Sequence, residues 1–191
     1  MWQEIKAGGQ ERGRWRRSLL GRFVRNRKGS TAIEFTILAI PFSMLVFAVL
    51  ESCISFAAQQ VMANAADDMA RQFRTGQIKA DQLSKQEVRD IFCERIQIVV
   101  SPGCPGLEMD LRTYTTFAEA AQQRVAFLNG DIDTQGFDIA PGPSMSKNML
   151  RVFYRWPVIT DFMRKSMANL PDGKTLHYAS VTWQNEPFED D

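Results

Sequence analysis

Residues Phe35–Leu50 (FTILAIPFSMLVFAVL) carry no charge, and only Thr36, Pro41 and Ser43 dilute their apolar character. Those 16 residues would rise about 24 Å as a helix, short of the roughly 30 Å hydrocarbon core of a bilayer. The mild flanks Thr31–Ile33 and Ser52–Phe56 supply the missing length but bring Glu34 and Glu51 into the span. A membrane helix is therefore expected over residues 30–56. Both carboxylates then need a partner, because a charge in lipid is costly.

The charge around this run sets its direction. The whole chain is close to neutral, with 23 Lys+Arg against 22 Asp+Glu. Residues 1–29, however, hold nine basic side chains (Lys6, Arg12, Arg14, Arg16, Arg17, Arg22, Arg25, Arg27 and Lys28) against Glu4 and Glu11. No Lys or Arg follows the run until Arg71. Basic residues beside a span stay in the cytoplasm, so the arm is expected inside and residues from about 55 onward outside. A nucleic-acid role is not expected, since the arm has no folded reader beside it.

The start of the run holds a candidate processing site, Lys28-Gly29-Ser30-Thr31-Ala32-Ile33-Glu34-Phe35. A cut after Gly29 would make Ser30 a charged N-terminus and Glu34 the fifth residue, about one turn, or ~6 Å, into the membrane. Helices packed side by side with a one-turn stagger would then pair each Glu34 with a neighbour's ammonium.

A basic leader, a Gly, Glu-Phe at the fifth and sixth mature positions and then an apolar helix together resemble a type IV pilin-class leader. The pair Glu34-Phe35 is similar to the Glu-Tyr/Phe form of tight-adherence (Tad/Flp) pilins, and the length of the chain resembles the TadE-like pseudopilins of that system. Agreement extends to Cys93 and Cys104 leading into Leu107–Arg112, to Tyr154-Arg155-Trp156-Pro157 and to Asn185-Glu186-Pro187-Phe188. The resemblance implies an inner-membrane minor pilin or pseudopilin cut by a prepilin peptidase between Gly29 and Ser30. Glu34 would be its assembly carboxylate. Its partners would be that peptidase, other pilins and the assembly platform, with the N-terminus cytoplasmic and the C-terminal domain periplasmic. No cofactor is implied.

Three rivals are weighed against it. A permanent anchor would make Gly29 a loop residue and Glu34 a snorkelling carboxylate, leaving an uncleaved periplasmic binding or adaptor protein. A secretory signal needs small residues after the run, and Phe56-Ala57-Ala58 is a poor site. A lipoprotein box at Leu50-Glu51-Ser52-Cys53 has Glu51 where a small residue is wanted.

Beyond the membrane the helix is expected to continue to Arg74. Ala57–Arg74 has no Gly or Pro, and Met62, Ala65, Ala66, Met69 and Phe73 recur at three- and four-residue steps. Gly76 is a plausible stop, and Pro41 is expected to bend the span. Ser84-Lys85-Gln86-Glu87 reads as a capping box for a second helix with Val88, Ile91, Phe92 and Ile96 on one face. After the turn cluster Ser101–Gly106 come three strand candidates, Glu108–Phe117, Met149–Ile159 and Leu176–Trp183. Ala118–Leu128 reads as helix or loop, Gly136–Ser146 as loop and Asp161–Leu170 as a short helix. The expected class is α+β, a long N-terminal membrane-spanning helix extending into a small head with an antiparallel sheet at 57–191.

Little chemistry is announced. Cys53 on the membrane helix reads as a small apolar residue. In an oxidising compartment Cys93 and Cys104 are expected to pair, the alternative being two buried thiols. His177 is the only histidine, no C-x-x-C, Walker loop or dinucleotide glycine pattern is present, and no enzyme or metal site is expected. Asp67-Asp68 and Glu189-Asp190-Asp191 read as solvated charge.

Overall fold

The computed structural model describes residues 29–79 and 82–189; the basic arm, Asp190 and Asp191 lie outside the described residues. Helix α1 (Ser30–Arg74) runs through two units that divide between Phe47 and Ala48.

In the first unit α1 begins at Ser30 and presents apolar side chains all round. Ile33, Phe35, Ile37, Leu38, Ile40, Phe42, Leu45 and Phe47 are all exposed. A helix apolar on every face suits lipid rather than water. Its most apolar window has a mean hydropathy of 2.3 with none of it buried, and it is the one helix among the described residues long and apolar enough to cross a membrane. Pro41 lies inside the helix without ending it.

In the second unit the same helix becomes a core element. Ala58, Met62, Ala65, Ala66, Met69, Ala70 and Phe73 are buried, at the three- and four-residue spacing read from the sequence. They pack with helix α2 (Lys85–Ile96) and one face of a three-stranded antiparallel sheet ordered β1 (Leu107–Tyr114), β4 (Lys147–Pro157), β5 (Lys174–Gln184). The register lines up Met109, Val152 and Ala179 in one row and Leu111, Leu150 and Val181 in the next, all on the helix-facing side. Burying a side chain such as Met69 or Phe73 contributes about 1.5–3 kcal/mol relative to leaving it in water.

Each sheet edge is engaged at its middle, which interrupts a template for unwanted pairing. At β5 the Gln59 amide replaces a strand partner, donating to Tyr178 O at 2.7 Å and accepting from Tyr178 N at 3.3 Å. At β1 the loop backbone does so, with Leu111 N donating to Asp138 O and Ala140 N donating to Leu111 O.

The strands fall within three residues of their expected limits. Helix α2 has the expected capping box, the Ser84 side chain accepting from Glu87 N while Glu87 takes the Ser84 N–H. The ambiguous Ala118–Leu128 resolves into helix α3 (Phe117–Gln122) followed by β2 (Phe127–Leu128), which pairs with β3 (Asp131–Ile132). That two-residue ribbon is too short for alternation to register. Helix α4 (Asp161–Met167) ends earlier than Leu170. Cys93 and Cys104 form a disulfide with an S–S distance of 2.00 Å, tying α2 to the turn cluster. Closing a loop of this length stabilises by about 2–4 kcal/mol.

Candidate functional site

The residues expected to take part in processing and assembly lie at the start of α1. Gly29 immediately precedes the helix, Ser30 is its first residue, and Glu34 and Phe35 are exposed about one turn further on. Gly29 has a backbone that any residue can adopt and open space around its Cα. The fold therefore sets no requirement for glycine at 29, unlike Gly76, where φ is +70° and a Cβ would meet the Phe188 ring at 2.8 Å.

The second acidic residue of the expected span is held differently. Glu51 is buried, and its carboxylate accepts from Ile159 N at 2.5 Å, from Thr160 N at 3.2 Å and from the Thr160 hydroxyl. Thr160 is the N-cap of α4 and makes no side-chain bond to its own helix; its hydroxyl and N–H are donated to Glu51 instead. One turn along, Ser55 and His177 share a 3.0 Å hydrogen bond, and the imidazole stacks on Trp156 with ring centroids 5.3 Å apart. Burial pushes the His177 pKa down to about 4. A cavity of about 360 Å³ opens beside this pair, lined by Ser52, Ser55, Gln59, Met167, Thr175 and His177.

Residues 29–71, from the glycine before α1 through its buried stripe, match the family described as TadE-like protein. Over this segment the chain is similar to that family. No curated protein and no solved structure gives a significant match. The TadE-like segment thus contains Gly29, Ser30, Glu34, Phe35 and Glu51, and the sheet lies beyond it.

The C-terminal string Asn185-Glu186-Pro187-Phe188 closes back on the end of α1. Asn185 is buried and fully engaged. Its side-chain oxygen accepts from Trp183 Nε1 at 2.8 Å and from Asn148 Nδ2 at 3.1 Å, while its amide donates to Gly142 O and Pro143 O. Glu186 N donates to Arg74 O at 2.8 Å, and Phe188 covers Gly76. These residues clasp the last strand to the end of α1.

On the sheet face away from α1, Asp110 and Arg151 are direct cross-strand partners and both are buried. Arg112 also pairs with Asp110 at 2.8 Å, and Phe137 lies over the Arg151 guanidinium. Sequence reading missed this pair and the Glu51 seat. The available signal was a charge in the middle of a strand or an apolar flank, but its partner sits 41 or 108 residues away.

Two further features bear on chemistry. Cys53 is exposed and free. A serine beside a histidine suggests a nucleophile, but an imidazole that resists protonation until about pH 4 is a weak base near neutrality.

Proposed function

We propose that this protein is a minor pilin or pseudopilin of a Tad-type pilus, matured by a prepilin peptidase that cuts between Gly29 and Ser30. The match of residues 29–71 to the TadE-like family supports involvement in a Tad pilus system and association with other pilus components. The apolar N-terminal helix points to single-pass membrane anchoring.

One observation carries the finer reading: α1 starts at Ser30, immediately after a glycine that the backbone does not require, with Glu34 exposed one turn in. Cleavage there would free an ammonium at the end of a ready-made helix. A neighbouring copy or another pilin, staggered by about a turn, brings that ammonium to Glu34. The two charges then lose their penalty in lipid together. On this reading the basic leader stays in the cytoplasm until cleavage, the head from about residue 57 lies in the periplasm, and the protein's work is structural. Glu51 takes no part in the pairing, since its oxygens are already engaged by the head.

The experiment is intact-mass spectrometry of the full chain expressed with and without its peptidase. A mature form starting at Ser30, seen only with the peptidase, is the expected result. An N-terminus still at Met1 in assembling cells, or one beyond Leu50, overturns the reading.

A further inference from the structure

An unpaired carboxylate just past Leu50 would fix the lipid–water boundary there, because it would need water. Glu51 does not need it: it is buried, and the N–H groups of Ile159 and Thr160 and the Thr160 hydroxyl occupy its oxygens. Exposed apolar surface continues beyond it. Ile54 and Phe56 project from α1, Phe56 with 76% of its surface free, and Ile159 (70%) and Phe162 (44%) project from the start of α4. The hydrogen bonds from Ile159 and Thr160 bring this stretch to the level of residue 51, which directly follows the exposed Val49 and Leu50 of the same unit. Arg164 and Lys165 follow, exposed and basic, with Arg164 also paired at 2.9 Å to the exposed Asp161 of the same segment.

We propose that residues 159–165 of the head rest on the membrane, with Ile159 and Phe162 seated among the lipid headgroups and Arg164 and Lys165 reaching anionic phosphates. Apolar residues followed by basic ones on a short element is the chemistry of interfacial contact. Long basic side chains keep their stems in the apolar layer and their charges at the phosphates. Glu51 then serves as a latch: it holds α4 against the membrane helix and sets the head's depth, with the boundary near Phe56 rather than at Leu50. The inference rests on the membrane reading of the apolar helix, and the test separates the two.

The test uses the full chain carrying Cys53→Ser, with a nitroxide on a single introduced cysteine at Phe42, Phe162 or Glu94, in vesicles containing phosphatidylglycerol. Collision rates with oxygen, which concentrates in lipid, and with a water-soluble nickel chelate report depth. Expected is strong oxygen preference at 42, clear oxygen preference at 162 and nickel preference at the exposed α2 site 94. The preference at 162 should weaken when phosphatidylglycerol is replaced by phosphatidylcholine. A label at 162 that behaves like 94 while 42 remains in lipid overturns the docking alone. Nickel preference at 42 overturns the span and the docking with it. A label at 162 shielded from both reagents means that protein covers this surface, and that also overturns the proposal.

Discussion

Asp110 and Arg151 face each other across the β1–β4 ladder with Nη2 to Oδ2 at 2.5 Å, and their side chains are only 1% and 3% exposed. A buried pair of this kind is weak support for stability while intact, but leaving one member behind strands a charge. Asp110→Ala should cost about 3–5 kcal/mol in denaturant titration of the detergent-solubilised protein. The double variant Asp110→Leu with Arg151→Met should recover most of that loss. A double variant no better than the single would show that the Arg112 and Asp138 contacts to Asp110, rather than the lone guanidinium, carry the cost.

Removing the Asn185 side chain strands several partners at once. Asn185→Ala leaves the Trp183 indole N–H and the carbonyls of Gly142 and Pro143 without their acceptor and donor. The expected loss is about 2–3 kcal/mol by chemical denaturation. Amide exchange should quicken first around Glu186 and the end of α1, where the clasp is anchored.

His177 gives the fold an acid-sensitive term. Its imidazole titrates near 6.5 when unfolded and about 4 in the folded head, because burial opposes the charge. As pH falls past 6.5 the unfolded chain takes up a proton that the folded one refuses, so stability declines between about 6.5 and 4 and then levels. The stabilisation lost is about 2 kcal/mol after solvent screening is allowed for. His177→Asn should flatten that window relative to the parent. An unchanged pH profile from 6.5 to 4 would contradict it.

Glu34 and Gly29 should separate by step. Glu34→Ala is expected to leave cleavage intact, read as mass, and to cut piliation, read by microscopy. Gly29→Phe should block cleavage. Full piliation in both variants would count against any role in maturation or assembly.

The sequence by itself determined whatever follows from local order along the chain. The apolar run Phe35–Leu50 marks the membrane helix, and the basic residues before it set the direction expected for it, without reference to anything distant. Met62, Ala66, Met69 and Phe73 recur at helical spacing because one face must be covered, whatever covers it. The capping box at Ser84 and Glu87 is complete within four residues. Only the tertiary structure decided which distant groups satisfy the buried polar ones. Glu51 looked like a liability in the span until the start of α4 supplied its N–H donors. Asn185 looked like a terminal motif until the 142–146 loop folded against it. Asp110 finds Arg151 only once the β1–β4 register is set. A hydrogen bond requires a partner within about 3 Å, and no spacing rule along the chain carries that information across a hundred residues.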